Sequence, residues 1–324
     1  MSIPVTNLVA DIGGTNIRLG LVESSGNITA LKVYTCSEFD GLASVIKTYI
    51  ESEGINGQTI NACLAIACPV DNDLICMTNL PWNFSQAALK EELGLNKLLL
   101  INDYTAIAHA VTLLDDTQKI QIGSGSVIAG RPISICGPGT GLGVANAVCV
   151  DDHWISLGGE GGHVDFAPID ETEQQILTFL LTKYQHVSYE QLLSGMGIEQ
   201  IYQAFVSIEN LSLPQLLAKD ISQRALDNSC SVCVKTLNQF CKILGSFAGN
   251  LALTLSSFGG VYIAGGIVPR FIDFLKASEF RNRFESKGRL SHFNLEIPTF
   301  VITESQPGIL GASAYLRQHN TEEL

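Results

Sequence analysis

Lysine and arginine are scarce in this chain: 19 of 324 residues, against 32 aspartates and glutamates, for a net charge of −13. Binding to a nucleic-acid backbone or an anionic membrane runs on basic residues. Neither partner is therefore expected. A nucleotide ligand stays open, because backbone amides and a metal ion can hold phosphates without lysine. No linker rich in proline, serine or charge divides the chain, and no low-complexity tract is visible. Met1 to Asn7 has neither a basic start nor a long apolar stretch, so no signal peptide is expected. The charge-free run from Ile243 to Pro269 is long enough to span a bilayer. Gly249, Asn250, Gly259, Gly260, Gly265 and Gly266 interrupt it, and it reads as a helix, a turn and a buried strand. Two familiar nucleotide motifs are missing as well: G-x-x-x-x-G-K-[ST] and G-x-G-x-x-G.

Disulfide patterning is also absent. The nine cysteines lie mostly alone, several inside apolar runs (Cys63, Cys68, Cys76, Cys136, Cys149), the usual placement of reduced thiols in a cytoplasmic protein. Cys230-Ser-Val-Cys233 is the one C-x-x-C. A zinc site needs four ligands, and neither a second pair nor a matched histidine is near it in sequence, so core packing is expected there. With 46% hydrophobic and 16% charged residues, a globular protein of about two domains is expected.

Against these absences stand two glycine-rich turns, one in each half. Asp11-Ile12-Gly13-Gly14-Thr15-Asn16 lies between the apolar runs 8–10 and 17–22; Gly137-Pro-Gly139-Thr140-Gly141-Leu-Gly143 lies between 133–136 and 144–150. Each reads as strand, turn, strand. Glycine brings backbone amides close to a bound group, and a concave run of amides binds anions. Two such grips suggest a nucleotide held in a cleft by an enzyme that moves phosphate.

The remaining pattern is α/β. Three antiparallel strands are expected first, with a turn at Ser24-Ser25-Gly26-Asn27, then a helix over 41–53 on the stripe Leu42, Val45, Ile46, Tyr49. A buried strand over 62–67, a helix capped by Ser85, a strand over 98–101 and a helix over 105–114 follow. In the second half, helical blocks are expected over 173–184 and 189–205. A long helix over 234–255, a buried strand to Ala264 and a closing helix over 307–317 complete the reading.

Several residues carry candidate chemistry. Asp11 would sit near a phosphate-bridging Mg²⁺, with Gly13, Gly14 and Thr15 on the phosphates; the competing reading is an ordinary tight hairpin. Asn102-Asp103 ends a buried strand, where open α/β sheets place ligands and where a carboxylate can accept a hydroxyl proton. Helix capping is the alternative. Four glycines surround Glu160 and His163 in a stretch that reads as a loop, an arrangement suited to a polyhydroxy ligand; a metal site would need Asp165 as well. Gly265-Gly266 could admit an adenine ring or simply pack. Arg18 is an exposed strand residue or a catalytic cation.

These residues in this order resemble the ATP-dependent glucokinases of bacteria, in the superfamily of sugar kinases and actin. The likeness rests on Asp11-to-Arg18, Leu64-to-Pro69, Met77-to-Trp82, Ile101-to-Ala106, Gly137-to-Gly143, Gly159-to-Pro168 and Tyr262-to-Arg270, nearly the whole chain. It implies a two-domain actin-like (ribonuclease H-like) α/β fold with an interdomain cleft. Residues 1–113, completed by 303–324, would form the small domain and 114–302 the large one. It implies glucose bound by Asn102, Asp103, Glu160, His163 and Glu190, with Asp103 as general base toward the 6-hydroxyl. ATP with Mg²⁺ would lie across Ala10 to Thr15, Gly137 to Gly143 and Gly265-Gly266. A cytoplasmic homodimer is implied. Glu190 is suggested by the resemblance alone; sequence pattern reads it as an exposed helix residue. The chain departs from related families in following His163 with Val-Asp-Phe-Ala-Pro rather than a cysteine-rich zinc motif. Ala10 and Met196 stand where relatives often have glycine and proline. A kinase for another hexose and a non-catalytic sugar sensor are the competing functions.

Overall fold

A computed structural model of the chain describes residues 5–321, which form two compact units. One runs to Leu114 and resumes at Glu304; the other spans Asp115–Thr303.

The first unit opens with β1 (Val5–Ile12), β2 (Asn16–Val22) and β3 (Ile28–Thr35), paired antiparallel in succession as the sequence predicts. Helix α1 (Leu42–Ser52) buries Leu42, Val45, Ile46 and Tyr49 along its expected stripe. It returns the chain to β4 (Thr59–Ile66), parallel to β1. Seven of the eight β4 residues are buried, which is why residues 62–66 read as a continuous apolar run rather than an alternating one. A small hairpin, β5 (Leu74–Cys76) and β6 (Asn83–Ser85), leads into α2 (Gln86–Glu92). Ser85 caps that helix, its hydroxyl accepting from the Ala88 amide at 3.1 Å. Strand β7 (Lys97–Asn102), parallel to β4, then runs straight into α3 (Asp103–Val111). The sheet order is β3-β2-β1-β4-β7. The closing helix, Pro307–Thr321, lies against α3 so closely that a Cβ at Gly311 would sit 1.7 Å from the Ala106 carbonyl oxygen. Only glycine permits that approach.

The second unit repeats the plan. Strand β8 (Lys119–Ile122) precedes β9 (Ile133–Pro138), β10 (Leu142–Val150) and β11 (His153–Gly159). Helices α4 (Glu171–Leu181), α5 (Gly195–Ile208), α6 (Ala218–Leu226) and the 25-residue α7 (Ser231–Leu255) follow. Strand β12 (Val261–Ile263), the short helices α8 (Ile272–Ala277), α9 (Phe280–Glu285) and α10 (Ser291–Leu295), and β13 (Thr299–Ile302) end it. Its sheet order is β11-β10-β9-β12-β13-β8. Two antiparallel pairings followed by two parallel ones match the first sheet, with β8 added as an antiparallel edge. The charge-free run over 243–269 resolves into the end of α7, a turn and buried β12. Among the described residues no helix is long and apolar enough to cross a membrane.

Two sequence expectations are corrected. The helical block over 189–205 begins only at Gly195, because Ser194 caps α5 by accepting from the Gly197 amide at 3.0 Å; residues Tyr189–Gln191 form a separate 3-10 turn. The stretch around Glu160 is not all loop: Gly158 and Gly159 close strand β11, paired with Ala145 and Val144.

Candidate active site

The first glycine turn joins β1 to β2 and is closed by the Gly13 amide donating to the Asn16 carbonyl at 3.1 Å. The Cys36 amide donates to the Thr15 carbonyl at 2.9 Å and fixes its far side. Ala10 and Ile12 are fully buried, so they hold the turn from the core side. Asp11, Gly13 and Gly14 are half-buried, and Thr15 is exposed. Asp11 lies directly across the ladder from Arg18, their charged groups 3.6 Å apart. Burial raises the Asp11 carboxyl above its ordinary value, and the Arg18 guanidinium pulls the other way. Pro307-Gly308 brings the start of the closing helix against the same carboxylate: a Cβ on Gly308 would be 2.7 Å from its carbon. On the other side a Cβ on Gly14 would meet Asn79 at 2.7 Å, so glycine and Asn79 pack as one surface.

Asn102 and Asp103 do two things at once. Asn102 is the N-cap of α3; its Oδ1 accepts from the Tyr104 amide at 2.9 Å, and its Nδ2 donates to the Cys68 carbonyl at 3.4 Å. The same Tyr104 amide donates to Asp103 Oδ1 at 2.9 Å. Capping is thus real, and it engages one Asp103 oxygen through the Tyr104 amide. Burial pushes the Asp103 carboxyl up to about 6, helped by the negative charge of Asp11 and opposed by the Tyr104 amide. A group so placed changes protonation close to neutral pH.

The second glycine turn joins β9 to β10 and is closed by Gly139 donating to the Gly141 carbonyl at 2.8 Å. Gly137 is buried, Gly139 and Gly141 half-buried, and Thr140 exposed. Gly265 supports this turn from below. Its φ of +83° is a left-handed conformation that favours glycine, and a Cβ there would sit 2.3 Å from the Pro138 carbonyl oxygen. Gly266 is exposed, with nothing within 4 Å of an added Cβ.

Glu160 precedes a 3-10 turn, Gly161–His163, whose closure is the His163 amide donating to the Glu160 carbonyl at 3.0 Å. Gly162 presses against β10, where a Cβ would be 2.1 Å from the Leu142 carbonyl oxygen. Both Glu160 and His163 are exposed. Glu190 is not the exposed helix residue that the sequence pattern suggests. It lies half-buried in the turn Tyr189–Gln191, its Oε2 accepting from the Leu142 amide at 2.9 Å and its Oε1 3.8 Å from His163 Nε2. The turn is held in register by Tyr189 donating to the Val164 carbonyl at 3.1 Å and Phe166 donating to the Val187 carbonyl at 2.9 Å. The Tyr189 ring packs between Phe166 and Phe247, with centroid distances of 5.6 and 4.7 Å. Asp165 pairs with His186 at 2.7 Å and not with Glu160 or His163. Among the described residues no group of three histidines, cysteines or acidic residues is placed to share a metal.

Each unit therefore presents its own half of the expected set: Asp11, the 13–15 turn, Asn102 and Asp103 in the first; the 139–141 turn, Glu160, His163, Glu190 and Gly266 in the second. Sequence reasoning did not pick out Asn79 or the Leu142 amide. Asn79 stands in the Met77-to-Trp82 motif, which was a usable signal; a backbone amide carries none.

Comparison with known proteins gives a consistent picture. A family model described as Glucokinase matches residues 8–319. A glucokinase of Colwellia psychrerythraea is 61% identical over 319 residues, covering 97% of this chain and 97% of the relative. A Yersinia enterocolitica glucokinase is 51% identical over 313 residues, covering 96% of each. The crystal structure of a glucokinase from an Antarctic psychrotroph superposes with a TM-score of 0.90 at 36% identity, covering 97% of this chain and 99% of that one.

Proposed function

The chain belongs to the glucokinase family, and on that premise we propose a role for each group of the candidate site. The fold is the two-domain actin-like fold of sugar kinases. The reaction is transfer of the γ-phosphoryl group of ATP to glucose, giving glucose 6-phosphate and ADP. Loose phosphoryl transfer leaves a protein chiefly positioning and electrostatic work.

Asp103 takes the proton of the sugar 6-hydroxyl as its oxygen attacks the γ-phosphorus. The observation that carries this role is the half-buried carboxyl, poised near pH 6 at the first residue of α3. Asn102 orients the same hydroxyl region with the amide group not used in capping. Glu160 and the His163-facing oxygen of Glu190 accept from other sugar hydroxyls, while His163 donates or accepts according to tautomer. The amides of the two glycine turns, with the Thr15 and Thr140 hydroxyls, hold the nucleotide phosphates. Gly266, open where Gly265 is packed, lies under the base.

The site chemistry fits Mg²⁺ beside Asp11: an acidic group whose ionisation burial disfavours, next to a second carboxylate that feels its charge, gains from a cation. Asp11 would hold Mg²⁺, which would supply positive charge toward the phosphate oxygens.

A coupled ADP-release assay with MgATP tests the proposal, comparing glucose, mannose, fructose, N-acetylglucosamine and no sugar for the wild type and Asp103→Asn. Strong turnover on glucose that collapses in the variant is the expected result. Near wild-type turnover by Asp103→Asn would remove the base assignment.

A further inference from the structure

The Cys230-Ser-Val-Cys233 motif was expected to be core packing, and for Cys233 that holds: it is fully buried at the third position of α7. Cys230 is different. It is the N-cap of the same helix, with extended backbone (φ −144°, ψ 113°), and it is only partly buried. Its side chain completes no capping hydrogen bond. The amides of Val232 and Cys233, however, face its sulfur together with the Cys233 thiol, and Arg224 of α6 adds positive charge nearby. Burial opposes ionisation of Cys230, but these donors and the cation outweigh it and hold the thiol below its ordinary value. Cys233 is shifted the other way: burial, then the neighbouring Cys230, push it up to about 12. One partly exposed, more ionisable thiol thus stands about one helical turn from one hidden, protonated thiol at a helix N-terminus. That division suits an attacking and a resolving cysteine.

We propose that Cys230 and Cys233 form a reversible dithiol–disulfide couple, a modification site for low-molecular-weight disulfides. In the first step the Cys230 thiolate attacks one sulfur of a disulfide RSSR; the Cys230–SR bond forms and RS⁻ leaves, taking a proton from water. Cys233 then gives up its proton to solvent and attacks Cys230 Sγ, forming the Cys230–Cys233 bond and expelling the second RS⁻. The protein loses two protons and two electrons; the small disulfide is reduced to two thiols. Cys230 and Cys233 stand at the N-cap and the third position of α7, about one helical turn apart, so bond formation asks only for closure within that turn. The other cysteines lack this arrangement: Cys63, Cys136 and Cys241 are buried with thiols pushed up to about 12 or beyond, and Cys76 is exposed on β5.

The test uses the folded, full-length protein equilibrated in oxidised and reduced glutathione over a range of ratios, then acid-quenched, alkylated and mapped by peptide mass spectrometry. The expected product is a 230–233 peptide two hydrogens lighter, appearing before Cys76 or Cys149 is modified and reverting in reduced glutathione. Under limiting iodoacetamide at neutral pH, Cys230 should be alkylated before the buried Cys233. Cys233→Ala should stop at the mixed disulfide on Cys230. Cys230→Ser keeps a good helix cap, so its glucose turnover should stay at the wild-type rate, while Cys233 becomes inert. Modification of Cys76 or Cys149 with the 230–233 pair still reduced at every ratio would overturn the proposal. So would a Cys233→Ala variant that takes up no glutathione at Cys230.

Discussion

The two glycine turns share a hairpin and differ in what steadies them. The turn over 13–16 is braced by its own sheet and charges: Arg18 faces Asp11 across the ladder, and the closing helix arrives at the same carboxylate through Gly308. The turn over 139–141 has no charged residue in its own strands near it; it borrows one. Glu190, from a separate 3-10 turn, accepts the Leu142 amide, and the Gly195 amide donates to the Gly139 carbonyl at 2.9 Å. In the proposed reading, the first unit keeps phosphate charge and proton transfer on β1 and α3. The second ties its phosphate turn to a residue that also holds sugar. Duplicated topology has thus been put to unequal use, and sugar and nucleotide binding should be coupled in the second unit more than in the first.

The largest effect should come from Asp103. Asp103→Asn is expected to lower kcat by roughly 10²–10⁴, the usual size of a general-base contribution. It should also make the protein more stable at pH 7.5. The folded-state value near 6 lies above the ordinary 3.8, so ionised Asp103 is a burden that exists at neutral pH and disappears below pH 3.8. Chemical denaturation should show the variant about 2 kcal/mol more stable at pH 7.5, with the gap closing toward pH 3.5. Lower stability of the variant at neutral pH would contradict the strained-carboxyl account.

Gly141→Ala comes next. The added methyl would lie 2.5 Å from Glu190 Oε2, the mobile end of a side chain, so the fold should survive while the carboxylate is displaced. Loss of one hydrogen bond to a charged group corresponds to about 10–100-fold in KM for glucose. Gly139→Ala is the matched control, with only the Gly141 carbonyl oxygen near, at 3.9 Å, and should leave both KM values almost unmoved. Equal effects of the two would break the claim that Glu190 is the tie.

Glu190 itself sharpens the comparison. Gln keeps an oxygen for the Leu142 amide and loses the charge, so Glu190→Gln should raise KM for glucose while sparing ATP. Glu190→Ala removes both contacts and should raise both KM values, by about tenfold for ATP. If ATP binding ignores both variants, the coupling is absent.

The last effect is on acid stability rather than turnover and belongs to the first unit. His109, buried in α3 edge-on to Tyr315 at 4.9 Å, is pushed down to about 4 by burial and by His319. A depressed histidine contributes stability above pH 6.5 that drains away as pH falls toward 4. His109→Phe should flatten the stability profile in that window by about 2–3 kcal/mol, seen by urea denaturation at stepped pH. An unchanged slope would mean that other groups govern acid unfolding.

Much of this was legible in the chain because the underlying signals are local. The α1 stripe, the Ser85 cap, the heptad-like spacing of α7 and the apolar second half of β4 each declare their element within a dozen residues. Strands β8 and β13, four residues each, carry too little pattern to read alone, and so do α8 to α10, at five or six residues each. Glu190 shows why site reading failed where it did. Its partner, the Leu142 amide, is 48 residues away and has no side-chain identity, so no spacing rule could have found it. The 189–205 block was misread for a local reason: Ser194 and Gly195 are a start signal that an apolar period runs straight across.

The contact between Gly311 and Ala106 also bears on how the molecule is made. The segment that clamps α3 is the last part described of a chain synthesised from the other end, and a domain generally folds as a unit during translation. The sheet of the second unit has all of its strands once Ile302 has emerged. The first unit, although begun earlier, must wait for residues beyond Pro307. On the ribosome the older half is therefore the later to mature, and a nascent chain halted before residue 307 would hold every proposed chemical group with its α3 still unclamped.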